Sequence, residues 1–460
     1  MTAPQQIVER ALATSSTSGC VAIVDEVHTH HLRWAENAIT AVGADRSRRL
    51  TVIALNERTD GAAVGSVARH GPLDRATIED VVRQAEAAAR SGPATGTAHP
   101  LPASPCLGDW DAPSAQPPPQ VLHPVAADLA ESLARARARR LHQYGYAEHR
   151  AASCYLGTST GVRSRHDQLG ALLEKTVKNA DRSASAWHGA NAVDFTGLDT
   201  AAVDADLDTR LGWSARRVEL PPGRYPVVLE PSAVAELMQH LYSAAGADGA
   251  LGGHSVFSRS GGTAAGERLT GFPLTIASDP AAPGMECAPF FVARASSGAA
   301  SVFDNGLPLA RTRWLDDGVL GSLVQTRDSA ERTGLPVTPE IGNLLVHAPE
   351  TAGSLTELVA GVERGLLISC LWYLRDLDPR SLLLTGLTRD GVHLVERGEI
   401  VGATNNFRFN ESPVGLLPRI TGSGPTGPAL VREPSTVQLP TAAPPLRVED
   451  FTMSSVSGLS

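Results

Sequence analysis

Along residues 224–246, RYPVVLEPSAVAELMQHLYSAAG, the spacing of apolar positions changes part-way. Tyr225–Leu229 is an apolar run suited to a strand entering a core. After the turn residues Glu230-Pro231, the positions Val234, Leu237, Met238 and Leu241 recur at i, i+3, i+4 and i+7, which predicts a helix with one buried face. Ser232 is the expected N-cap, because its hydroxyl can accept from an orphan backbone N–H. Gly246 is the expected stop, since glycine tolerates the left-handed conformation that ends many helices.

Upstream, Gln5–Ala13 predicts a short amphipathic helix with Ile7, Ala11 and Leu12 on one side. Strands follow at Cys20–His28, Leu32–Val42 and Arg49–Leu55, then a glycine-spaced strand at Gly61–Val67 that can pack closely against a neighbour. Asp74 is the expected cap of a helix with Ile78, Val81, Val82 and Ala85 as its buried stripe. Nine prolines between 91 and 124 make that stretch a linker, because proline donates no backbone hydrogen bond. A helix rich in Ala, Leu and Arg is expected over Ala126–Tyr144, a strand–turn–strand over Arg150–Ser164, and a further helix over Leu198–Leu211.

Beyond Arg224, short β segments dominate: Leu274–Ile276, Arg311–Leu315, Val319–Gln325, Asn343–His347, Leu366–Tyr373, Leu382–Leu387, His393–Arg397, Glu399–Val401 and Leu446–Phe451. Turns at Asp304-Asn305-Gly306, Asp317-Gly318, Asp390-Gly391 and Arg397-Gly398 separate them. Ser354 and Glu357 suggest a capping box on a helix with the stripe Leu355, Leu358, Val359 and Val362. The reading is an α+β protein, with N-terminal mixed α/β domains followed by a largely antiparallel, β-rich C-terminal domain. Its expected units are 1–91, a linker at 92–125, a central α+β domain at 126–223, and 224–460.

A net charge of −9 argues against nucleic acid or an anionic membrane as partner, and no apolar run reaches the roughly 20 residues that span a bilayer. The N-terminus lacks the basic head and apolar stretch of a signal peptide, so a cytoplasmic location is expected. The five cysteines, Cys20, Cys106, Cys154, Cys287 and Cys370, form no C-x-x-C pair, which speaks against a disulfide framework or a zinc knuckle.

A peptidase zinc needs imidazoles or thiolates converging on the metal, with a carboxylate base beside them. None of the fourteen histidines is paired at i+4 or i+5, and none is followed by glutamate. Glu236 and His240 are four apart and can meet on one helical face. They read either as an acid/base pair facing a cleft or as an ordinary surface pair. His28 and His30 share one side of a strand, as two ligands without a third or as a solvated strand end. Cys370 falls within an apolar run, where a thiol is usually inert.

The strand YPVVL-x-P with a helix after it resembles the C-terminal domain of the TldD/TldE (PmbA) family. F-D-N-G-L-P at Phe303–Pro308, Arg311-Thr312, V-L-G-x-L at Val319–Leu323, G-N-L at Gly342–Leu344, G-L-L-I-S at Gly365–Ser369 and E-R-G-E-I at Glu396–Ile400 follow in the family's order. TldD-like subunits carry H-E-x-x-x-H on that helix and a late cysteine, and bind zinc. The matching positions here are Gln239, His240 and Ala244, and Gly427–Gln438 contains no cysteine. The resemblance implies a TldE/PmbA-like subunit with no metal of its own. It would pair with a TldD-like zinc metallopeptidase subunit and complete a channel for proteolysis of unfolded peptides. The alternative is a stand-alone hydrolase or modifying enzyme of the same fold, acting on a peptide-derived metabolite through a remodelled site.

Overall fold

The structure, a computed structural model, describes residues 2–103, 105–433 and 439–457. Helix α1 (Pro4–Thr14) leads into strands β1 (Gly19–Ala35), β2 (Ala38–Arg58) and β3 (Gly61–His70). Helix α2 (Arg75–Ser91) and the short β4 (Ala94–Thr95) follow. Helix α3 (His123–Ala138) precedes β5 (His142–Thr158), β6 (Arg163–Lys178) and β7 (Ser185–Ala192), and α4 (Thr200–Trp213) closes this half. The strands form one antiparallel sheet in the order β4-β3-β2-β1-β5-β6-β7. Residues 1–91 and 126–223 therefore contribute to the same sheet.

Leu32–Val42 is not the single strand expected. The chain reverses at Glu36-Asn37, whose φ angles of 50° and 61° are those of a tight hairpin turn. Glu-Asn lacks the glycine that advertises such a turn, and tertiary bonds hold it instead. Asn37 Nδ2 donates to the Leu141 carbonyl (2.6 Å), and its Oδ1 accepts from Gln143 N–H (2.7 Å). Similarly, the helix expected to reach Tyr144 ends at Ala138, and Arg140 turns at φ 56° so that β5 can join the sheet at His142.

One end of a sheet face is covered by α1 and α2, with Ile7, Ile78, Val81 and Val82 against Val24 and Val52. Asp74 caps α2 as expected, accepting from Thr77 N–H at 2.8 Å. The other end lies under α3 and α4, which bury Leu129, Leu133, Val203 and Leu207 against Leu32 and Trp34. Between them the proline-rich stretch is pinned to the sheet: Ser114 Oγ donates to Glu26 (2.6 Å) and Ala115 N–H to Ser153 Oγ (2.9 Å).

Strands β8 (Arg217–Val218) and β9 (Gly223–Leu229) enter the C-terminal half, which is β-rich and largely antiparallel. Its ten-stranded sheet has β9 near the middle, between the strands Arg364–Ile368 and Leu446–Val456. A six-stranded sheet is built around Thr275–Ser278 and Leu344–His347. Helix α5 (Pro231–Ser243) packs at the heart of this half. Val234, Leu237, Met238 and Leu241 are buried as predicted, and so are Ala233, Ala235 and Tyr242. Each large apolar side chain removed from water there contributes about 1.5–3 kcal/mol.

Three local expectations change. Helix α5 ends at Ser243 with Ala244 as its C-cap, and Gly246, at φ −66°, precedes the next short helix instead of stopping this one in a left-handed conformation. Pro231 opens α5, so the N-cap position belongs to Glu230 rather than Ser232. Leu366–Tyr373 divides at Ser369-Cys370 into Arg364–Ile368, in the sheet interior, and Leu371–Asp378, at its edge. An unbroken apolar run gives no sign of such a corner.

Candidate functional site

Helix α5 and its C-cap carry the three positions that match the family's H-E-x-x-x-H motif, Gln239, His240 and Ala244. Gln239 Nε2 donates to Thr441 Oγ1 (2.8 Å) and to the Leu439 carbonyl (3.3 Å). Its amide is committed to tethering the returning chain. His240 is half-buried, with Nδ1 4.0 Å from Asp376 Oδ1; burial lowers its pKa and favours the neutral imidazole. Ala244 is the C-cap residue of α5 and offers no donor atom.

Glu236 is buried at 3% exposure, unlike a residue of a surface pair. Its Oε2 accepts from the backbone N–H of Arg432 (3.2 Å), and no hydrogen bond or ion pair among the described residues joins it to His240. Burial pushes its carboxyl up to about 8, with Glu433 adding in the same direction. At neutral pH the group is a carboxylic acid held under a strap of chain.

That strap, residues 429–433, is fastened at several points. The Arg432 guanidinium lies over Trp372 (4.2 Å to the ring centroid) and Trp187 (5.2 Å), and pairs with Asp390. It also donates to Cys370 Sγ at 3.2 Å. Glu433 accepts from Tyr373 N–H at 2.6 Å, and Asn191 Nδ2 donates to the Ala429 carbonyl at 3.3 Å. Burial pushes the Cys370 thiol up to about 11, so it is no nucleophile at neutral pH. At its N-terminal end α5 is anchored by Glu230, which Arg210 grips together with Ser369. Glu230 and Asp390 read in the sequence only as turn residues, and nothing local marks the pairs Arg210–Glu230, 20 positions apart, and Arg432–Asp390, 42 apart.

A catalytic zinc does not fit these residues. An amide already bonded, one half-buried imidazole and an alanine supply too few donors for a catalytic zinc. Among the described residues no group of three or more His, Cys, Asp or Glu is arranged to hold a metal ion. Of Gly427–Gln438, which matches the segment of the family's late cysteine, residues 434–438 lie outside the described residues. His28 and His30 are in mid-sheet rather than at a strand end, since β1 continues to Ala35, and His149 lies directly opposite His30. Asp304-Asn305-Gly306 is a structural turn: Arg327 Nε donates to Asp304 (2.7 Å), and Asn305 bonds both backbone groups of Ala293.

A family model described as the PmbA/TldA metallopeptidase C-terminal domain matches residues 222–455, a little over half of the chain. The chain belongs to the TldD/TldE (PmbA) family. Solved structures share this family fold along nearly its whole length. TldE from Thermococcus kodakarensis superposes with a TM-score of 0.77 at 14% identity, covering 97% of this chain and 99% of that one. A putative modulator of DNA gyrase from Thermotoga maritima MSB8 gives 0.73 at 15% identity, covering 97% and 99%. Another from Bacteroides thetaiotaomicron VPI-5482 gives 0.71 at 15%, covering 98% of each. No curated protein sequence matches the chain. Among the described residues no helix is long and apolar enough to cross a membrane.

Proposed function

We propose that this chain is the TldE/PmbA-like, metal-free subunit of a TldD/TldE-type metallopeptidase and completes the channel through which unfolded peptides reach the active site. The carrying observation is the state of α5. Where TldD-like members carry H-E-x-x-x-H, Gln239 is spent on Leu439 and Thr441, His240 stands in place of the glutamate and faces Asp376, and Ala244 has nothing to offer. The fold likeness to TldE supports the same reading. The zinc and its base would then belong to a TldD-like partner in the same compartment, expected to be the cytoplasm.

Co-expression with a TldD-like subunit tests this. The expected result is a stable complex whose zinc content matches the partner alone, with cleavage of an unfolded protein only when both chains are present. Stoichiometric zinc in the isolated chain, or peptide turnover by it, overturns the reading and favours a stand-alone enzyme.

A further inference from the structure

The hairpin of β1 and β2 outruns β3. Strand β2 is paired with β1 from Ala38 to Leu55, whereas β3 accompanies only Arg49–Arg58. On its outer side, residues 38–48 therefore have no neighbouring strand. Gly71 N–H closes onto the Arg48 carbonyl (3.0 Å), and from Ala38 to Ser47 no hydrogen bond among the described residues reaches the backbone from that side. In an antiparallel strand every second residue turns its N–H and C=O to one edge, so this row is a template for another strand. Proteins commonly blunt such edges with charge, proline or bulges. Here a bulge at Thr40 disturbs only the start, and Ala41–Arg48 keeps regular register. Ala38–Ala44 holds no charge and no proline, and Ile39 and Val42 are 49% and 70% exposed.

Two features of the edge select its occupant. It lies across the sheet from the site on α5: β2 stands three strand places from β6, about 14 Å at the usual spacing, and it is β6 whose Leu172 packs with Cys370 and Leu430 beside the strap. An edge so placed suits another folded chain rather than a peptide passing α5. Its two halves also differ, since Ala41–Ala44 is apolar and Asp45–Arg48 carries Asp45, Arg46 and Arg48. Two copies sharing a sheet about a two-fold axis run antiparallel, which sets the apolar half against the charged half. A different chain can match each half. We propose that Ala41–Arg48 pairs with an edge strand of the TldD-like subunit, apolar side chains lying opposite Val42 and Ala44, so that the N-terminal sheet continues into the partner. This rests on the subunit reading above and names the surface that joins the two chains.

Hydrogen exchange and affinity measurements on the full-length chains test it. In the wild-type complex, the amides of residues 41–48 are expected to exchange at least about tenfold more slowly than in the isolated chain. Ile39→Lys with Val42→Lys, both at exposed positions, should weaken the complex about tenfold or more. Circular dichroism and thermal unfolding of the isolated double variant should match wild type. Val337→Lys, at an exposed apolar position of the C-terminal half, should leave affinity unchanged, and an equal loss there overturns the proposal. If the wild-type chains form no complex, the subunit reading itself fails and takes this surface with it. If they form one, yet residues 41–48 stay unprotected or the double variant binds as well as wild type, this inference alone is overturned. A stable dimer of the isolated chain with the same amides already protected also overturns it, in favour of a second copy.

Discussion

Arg210 holds Glu230 through two parallel contacts, Nη1 to Oε1 at 2.6 Å and Nη2 to Oε2 at 2.8 Å. Both side chains are buried, so α4 of the N-terminal half is fixed to the entry of α5 in the C-terminal half. Asp206 accepts from Arg210 Nε at 2.7 Å and completes the network. Removing one member strands a buried charge, whereas replacing both removes the need for either. Arg210→Met should cost about 3–5 kcal/mol in chemical denaturation, and the double variant Arg210→Met, Glu230→Leu should recover much of that loss. An additive double variant would show that the pair is not energetically coupled.

Glu236 sets a pH dependence whose sign follows from burial. Its carboxyl ionises near 4.5 when unfolded and at about 8 in the fold, so the native state binds the extra proton. Its contribution is complete below 4.5 and is lost as pH rises towards and through about 8. Glu236→Gln keeps an acceptor for the Arg432 N–H and cannot ionise. It should remove a decline on the order of a few kcal/mol over that window. Denaturation midpoints of both proteins across the window measure the difference, and parallel curves would count against a protonated Glu236.

Arg432 is wedged between two indoles while also pairing with Asp390. A flat guanidinium can stack and bond at once, and an ammonium cannot. Arg432→Lys should therefore cost about 2 kcal/mol despite keeping the charge. Hydrogen exchange should quicken in residues 429–433 first, and unchanged protection there would contradict the strap's dependence on this side chain.

Gly65 sits where β3 touches α2. A Cβ there would lie 2.0 Å from the Ala85 carbonyl oxygen and 2.5 Å from the Ala89 nitrogen, both rigid backbone. Gly65→Ala should cost about 1–3 kcal/mol or more by thermal unfolding. Gly170→Ala, whose added carbon meets nothing within 4 Å, is the matched control and should be nearly neutral.

The amino-acid order by itself settled whatever depends on neighbours a few positions apart. The buried stripe of α5, the Asp74 cap and the close-packing glycines of β3 follow from periodicity and local bonding, and remain readable without a fold. The missing donors at Gln239 and Ala244 are equally plain from the letters. Tertiary structure alone decided the hairpin at Glu36-Asn37, the corner at Ser369-Cys370, and the single sheet shared by residues on both sides of the proline-rich stretch. It also decided that Glu236 is buried beneath Arg432 and that β2 keeps a free edge beyond β3. Those features depend on desolvation and on partners brought together from distant positions, and a linear pattern encodes neither.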